Sequence, residues 1–338
     1  MTPGPAAERD RRPALVGLDW GTTALRAYLL AADGTLLARH RTDDGVRTLA
    51  ERSGRGRERA FDEALRGALD PWSQPDLPVV ACGMVGSTAG WVDTPYTRCP
   101  ADLVATAREL TPVRWSRGIV HVVPGLKVDD ETPDVLRGEE TQVLGVLLDA
   151  PRDARTHRLV VLPGTHTKWV EVVGTSVLRF VTAMTGELHE LLLRDSVLAV
   201  GRAGRQTHAS RAPHAFTDGL ALAMRRPGAL STVFAARAAV VTGRIDPEEV
   251  SEYLSGLLIG QEVGELRGTL ALNVPVTLVG APELCRRYAA ALKQRGVDVS
   301  VHQHDPVPRA LLHIARESQL IPQPEPVPVP GGDHDDDE

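Results

Sequence analysis

The chain has 338 residues, with 38 Lys and Arg against 44 Asp and Glu. That length exceeds one ordinary hydrophobic core and fits two domains of roughly 150 residues each. The formal net charge is −6, of which Asp333, Asp335, Asp336, Asp337 and Glu338 supply −5, so the body carries no basic field of the kind a nucleic-acid partner needs. Three widely separated cysteines, Cys82, Cys99 and Cys285, exclude a disulfide framework and a CxxC zinc site, and they suit a reducing cytoplasm. No stretch approaches the ~18 apolar residues that cross a bilayer, and the Arg11-Arg12 pair is not followed by a signal-type apolar run. A soluble cytoplasmic protein without a membrane partner is expected.

In chain order, residues 1–12 read as a flexible polar arm. Strands are predicted at Ala14 to Leu18 and Leu25 to Leu30, followed by the Asp33-Gly34 hairpin turn and a short strand from Thr35. A helix at Phe61 to Leu69, a strand at Pro78 to Met84, a helix at Ala101 to Leu110, a strand at Gly118 to Val123 and a helix at Glu139 to Leu148 complete the first half. The second half repeats the order. Strands at Arg158 to Leu162, Lys168 to Val173 and Val177 to Ala183 precede helices at Leu188 to Leu198, Ala229 to Val241 and Pro247 to Glu265. A strand at Val274 to Val279, a helix at Glu283 to Gln294, a strand at Val297 to Val301 and a helix at Arg309 to Glu317 follow. The domains are therefore expected at 13–155 and 156–318, and the Pro-rich acidic residues 319–338 as a disordered tail. Each half has a β-β-β-α-β-α-β-α plan, which resembles the duplicated ribonuclease-H-like fold of actin-like ATPases and sugar kinases. The implied class is α/β, two domains around a central cleft.

Three Gly turns follow apolar strands in that plan. LDWGTTALRAYLL from Leu18 puts Gly21, Thr22 and Thr23 in a turn whose N–H groups and hydroxyls suit phosphate. Asp19 beside it is the candidate Mg²⁺ ligand, because Mg²⁺ takes hard oxygens and keeps several waters. VLPGTHTKWVEVV from Val161 puts Gly164, Thr165, His166, Thr167 and Lys168 at the equivalent point of the second half, so two turns are available for one polyphosphate. The Gly280-Ala281 turn before a helix is the candidate adenosine contact. No GxxxxGK or GxGxxG is present, which removes the P-loop and Rossmann readings.

A kinase also needs a carboxylate to deprotonate the accepting hydroxyl. Asp134, Glu139 and Glu140 in PDVLRGEETQVLG are the candidates, and helix-dipole complementation is the bland alternative for the two glutamates. The candidate substrate contacts are Arg26, Gly83, Met84, Val85, Trp91, Tyr96, Arg137, Gly186 and Glu187. Trp91 and Tyr96 serve equally well as domain packing, and Arg137 either grips a carboxylate or pairs with Glu140.

With these residues assembled, the chain resembles the 2-dehydro-3-deoxygalactonokinase family from about Val16 to Ile314. The resemblance rests on DWGTT at Asp19, GMVGS at Gly83, PGL at Pro124, DVLRGEETQ at Asp134, LPGTHTKWV at Leu162, MTGEL at Met184 and YLSGLLIGQE at Tyr253. It implies ATP-dependent phosphorylation of 2-dehydro-3-deoxy-D-galactonate at O6, with ATP and Mg²⁺ as cofactors and the sugar acid as small-molecule partner. Ala281, where the superfamily commonly has a second glycine, and Pro163 before the second turn depart from the wider pattern. A kinase for a related sugar acid or hexose, and a non-catalytic nucleotide sensor of the same fold, are the competing readings. Oligomeric state is not written in the sequence.

Overall fold

The computed structural model describes residues 12–53, 56–72, 76–150, 156–199, 214–270 and 273–323. The expected N-terminal arm up to residue 11 and the tail from residue 324 lie outside them. In chain order the strands and helices begin with β1 (Pro13–Trp20), β2 (Leu25–Ala31), β3 (Leu36–Thr42), α1 (Val46–Ser53), α2 (Arg57–Leu69) and β4 (Val79–Gly83). Next come β5 (Tyr96–Arg98), β6 (Ala101–Asp102), α3 (Leu103–Thr106), β7 (Thr111–Trp115), β8 (Gly118–Val122), β9 (Gly125–Val128), β10 (Asp134–Leu136) and α4 (Glu139–Asp149). Then follow β11 (His157–Leu162), β12 (Thr167–Val173), β13 (Ser176–Ala183), α5 (Thr185–Asp195), α6 (His214–Arg225), α7 (Ala229–Thr232), α8 (Phe234–Val241) and α9 (Val250–Leu266). The last are β14 (Val276–Leu278), α10 (Pro282–Lys293), β15 (Val299–Val301) and α11 (Val307–Glu317).

The chain forms two compact units: the described parts of Met1–Thr94, Ala107–Val123 and Val307–Glu338 make the first, and those of Pro95–Thr106 and Pro124–Pro306 the second. In the first, the sheet order is β3-β2-β1-β4-β8-β7. Here β1 to β3 run antiparallel, β1, β4 and β8 are parallel, and β7 is an antiparallel edge. In the second, the order is β15-β14-β11-β12-β13-β6, with β11 to β13 antiparallel and β11, β14 and β15 parallel. The same five-strand pattern thus appears twice, as the duplicated ribonuclease-H-like plan requires.

These units are not cut at residue 155, where the chain order suggested a boundary. Residues 95–106 and 124–150 belong to the second unit. The physical reason shows at β6, which pairs Asp102 with Ser176 and Ala101 with Val177 and so covers the edge of β13, an edge that would otherwise leave a row of backbone groups unpaired. The helix expected over Ala101 to Leu110 is accordingly reduced to the four residues of α3. Helix α11, expected to close the second domain, instead lays Leu311 against Gly17 of β1 and buries Leu311, Ile314 and Ala315 in the first unit.

Each unit has its own core. Trp20, Phe61 and Trp91 form an aromatic cluster in the first, with centroids 5.2 to 5.9 Å apart. In the second, Trp169, Tyr288, Leu278 and Ile259 pack together. Helix α9 is buried nearly all round, as an apolar helix without a polar face must be. It crosses α6 so closely that a Cβ on Gly219 would stand 2.0 Å from the Tyr253 carbonyl and one on Gly256 2.0 Å from that of Phe216.

Candidate functional site

In the first unit, the strand β1 ends on Asp19 and Trp20, and the turn Gly21 to Thr23 leads into β2. The Gly21 N–H donates to the Ala24 carbonyl at 2.9 Å, while the first amides of α1 hold the turn from outside, Val46 on Gly21 O and Arg47 on Thr22 O, both at 3.0 Å. Thr22 and Thr23 are left exposed. Asp19 is mostly buried and accepts from Arg26 Nη1 at 2.6 Å. Arg26, expected on the substrate side, therefore balances the charge of the carboxylate proposed for metal. Asp19 with the two threonine hydroxyls supplies few, hard oxygen donors, which fits an Mg²⁺ that keeps most of its water. No cluster of three or more His, Cys, Asp or Glu among the described residues is gathered for a metal.

The loop after β4 behaves differently from expectation. Val85 is fully buried, Met84 packs against the core and Trp91 stacks on Phe61, so Trp91 and Val85 are core side chains and not a wall around a ligand. Gly83 crowds the Trp20 carbonyl, which a Cβ would approach to 2.8 Å. Tyr96 lies in the second unit and Trp91 in the first.

In the second unit, the turn Gly164 to His166 joins β11 to β12, and the start of α5 is pressed onto it. The Glu187 N–H donates to Thr165 O at 2.9 Å, and His166 Nε2 meets Glu187 Oε2 at 2.6 Å. A Cβ on Gly186 would lie 2.3 Å from the Gly164 carbonyl. Gly186 and Glu187, expected at the substrate, thus buttress the Gly164 turn. Gly186→Ala is expected to cost about 1–3 kcal/mol by overpacking, whereas Gly67→Ala in α2, whose Cβ would meet nothing within 4 Å, is expected to be neutral or slightly stabilising. Urea denaturation of the two variants checks the contrast.

Beside that turn is a cavity of about 230 Å³ bordered by Gly164, Thr185, Gly186, Ala281, Arg287 and Tyr288. It brings together the Gly164 turn, the MTGEL segment and the Ala281 turn, which caps α10 with Pro282 in its first turn. Two expected phosphate contacts point elsewhere. Thr167 is fully buried and its Oγ1 meets Tyr288 Oη at 2.8 Å. Lys168 is buried and donates to Val135 O at 2.9 Å and Thr182 Oγ1 at 2.8 Å. The sequence reading also missed Glu262. Its carboxylate accepts from Trp169 Nε1 and from the hydroxyl of Tyr288, which borders the cavity. The signal was available as the only acidic end of the motif YLSGLLIGQE.

The carboxylate cluster also belongs to the second unit. Asp134, expected as a possible base, is a strut between β10 and β13, with Oδ2 on the Thr182 N–H at 2.6 Å and Oδ1 on the Thr182 hydroxyl at 2.7 Å. Arg137 is 7% exposed. Its guanidinium carbon stands 4.1 Å over the Tyr96 ring, and its Nε donates to Tyr96 Oη at 3.3 Å. Glu139 opens α4 half-buried and accepts from the Arg137 N–H at 3.0 Å. Glu140 is enclosed, accepting from the Gly138 N–H at 2.6 Å and the Thr141 hydroxyl at 3.0 Å. Burial, then the neighbouring Glu139 charge, pushes the Glu140 pKa up to about 7. Chemically, the cluster offers a rigid guanidinium for a carboxylate and one partly accessible carboxylate next to it.

Comparison with known proteins places the chain in a family. The family model described as 2-keto-3-deoxy-galactonokinase matches residues 19–314. The chain is 38% identical over 286 residues to the 2-dehydro-3-deoxygalactonokinase of Escherichia coli (strain K12), covering 84% of this chain and 91% of that one. It is 35% identical over 302 residues to a Rhizobium meliloti (strain 1021) protein assigned the same activity, covering 88% and 95%. A crystal structure from Sinorhizobium meliloti, likewise assigned as a 2-dehydro-3-deoxygalactonokinase, superposes with a TM-score of 0.79 at 34% identity, covering 89% of this chain and 98% of the other. On the extent of these matches, the chain belongs to the 2-keto-3-deoxy-galactonokinase family.

Proposed function

We propose that the protein phosphorylates 2-dehydro-3-deoxy-D-galactonate at O6, using ATP with Mg²⁺, in the cytoplasmic breakdown of D-galactonate. The observation that carries this reading is the buried Arg137 guanidinium stacked on Tyr96, two residues before a helix that opens on Glu139. A planar guanidinium held by an aromatic ring matches a carboxylate in bidentate fashion, which suits a sugar acid better than a neutral hexose. The cytoplasmic setting is supported by three free cysteines, which suit a reducing compartment.

In this account the acid's carboxylate docks on Arg137, and Glu139 takes the proton of the terminal hydroxyl. The O6–phosphorus bond forms as the bond from the γ-phosphorus to the bridging oxygen breaks, and ADP leaves with that oxygen. Asp134 is committed to Thr182 and Glu140 is enclosed, so Glu139 is the carboxylate with access. Adenosine is assigned to the cavity beside Ala281, and the phosphates to the amides of the Gly164 turn, which lies in the same unit. Asp19, with Thr22 and Thr23, would hold Mg²⁺, which when bound neutralises phosphate charge. Glu139 and Arg137 do their work on the acceptor alone: one holds a proton, the other fixes orientation.

The reading predicts that ADP appears only when ATP, Mg²⁺ and the 2-dehydro-3-deoxy acid are all present. Turnover with a neutral hexose but none with that acid would sink the substrate assignment. Arg137→Met, and Arg137→Lys almost as much, should raise the KM for the acid about 10- to 100-fold, the value of one charge-assisted hydrogen-bond pair. The KM for ATP should not move, and equal effects on both substrates would argue that Arg137 is only structural.

A further inference from the structure

Glu262 is 5% exposed on the buried helix α9 and is surrounded by donors. Trp169 Nε1 lies 2.5 Å from Oε1, Tyr288 Oη 2.6 Å from Oε2, and the Thr185 hydroxyl is a third hydrogen-bond partner. A fully enclosed carboxylate is costly to bury unless donors satisfy it. Burial does raise its pKa. Its partners are not scattered. Thr185 and Tyr288 border the 230 Å³ cavity, and Thr167 ends the phosphate turn.

The directions of these bonds are fixed by chemistry. Tyr288 has one hydroxyl proton and gives it to Glu262, so toward Thr167 its oxygen accepts, and the Thr167 hydroxyl must donate across the 2.8 Å contact. We infer that Glu262 is a positioning residue for the nucleotide site. It draws the Thr167 proton inward through Tyr288 and holds Thr185 directly, so that the Gly164 turn and the start of α5 keep one arrangement around the cavity. The inference rests on the reading that this cavity and turn receive the nucleotide.

Glu262→Gln tests it, because the indole N–H can only donate. The amide oxygen must then face Trp169 and its NH₂ must face Tyr288, so the buried Tyr288 proton loses its acceptor and must turn to Thr167 or Thr185, which disturbs their own hydrogen bonds. The KM for ATP should rise about tenfold, as for one misdirected buried hydrogen bond, while the KM for the sugar acid is unchanged. Tyr288→Phe, which keeps the packing, should raise the KM for ATP comparably. In the Tyr288→Phe background Glu262→Gln should add clearly less than it does alone, the remainder running through Thr185. An unchanged KM for ATP in both single variants, or an undiminished Glu262→Gln effect without Tyr288, overturns the inference. Ala281→Trp, which fills the cavity, separates the two levels. If it leaves the KM for ATP unchanged, the nucleotide reading itself fails; if it raises that KM while the cycle shows no coupling, only the role of Glu262 fails.

Discussion

Glu139→Gln should lower kcat about 100- to 10,000-fold, the usual contribution of a positioned general base, with the KM for the sugar acid little changed. Glutamine preserves the size of the side chain and can still accept from the Arg137 N–H, now at 3.0 Å, so the local fold is kept and only the proton-accepting ability is lost. Asp134→Asn should behave differently, disturbing the Thr182 anchor and lowering stability before it affects kcat. Steady-state kinetics on the two variants, with denaturation midpoints alongside, separate the roles. A Glu139→Gln enzyme with near-normal kcat would place the base elsewhere.

Glu140→Gln should change how stability depends on pH more than it changes turnover. The folded protein holds the Glu140 proton up to about pH 7, while an unfolded chain releases it near 4.3. Between those values the native state binds the extra proton, so this group's contribution to stability falls as pH rises through the window and is fully lost above it. At 1.36 kcal/mol per unit, the stability of Glu140→Gln relative to the parent should grow by about 3 kcal/mol from about pH 4.5 to about pH 8. Urea denaturation at both ends of the window measures it. A difference that does not vary with pH would mean Glu140 is ionised in the fold throughout.

The hairpin plan and the two Gly turns were legible because strand alternation and turn chemistry are local properties, and Asp19-Trp20-Gly21 and Pro163-Gly164-Thr165 carry both. The sheet cores followed from the same pattern. What the sequence hid was tertiary. Residues 101–110 look amphipathic, yet Ala101 and Asp102 are captured as an edge on β13, and the short strands β5, β9 and β10 have too few residues for alternation to register. Trp91 could not be told from a ligand wall until its rings were seen against Trp20 and Phe61. Among the carboxylates, Asp134, Glu139 and Glu140 differ only in partners and exposure, which spacing does not encode. Glu262 was overlooked because it is one of three glutamates on its helix, and only Trp169 and Tyr288 closing on it reveal a buried network.

The proposed reaction transfers the γ-phosphoryl group to one hydroxyl of one acid. Its most direct test is phosphorus-coupled proton NMR of the product formed from ATP, Mg²⁺ and 2-dehydro-3-deoxy-D-galactonate. Stoichiometric ADP and a single phosphomonoester coupled to the C6 protons are expected. Phosphate on another carbon, or ADP formed together with free phosphate and unchanged acid, would contradict it.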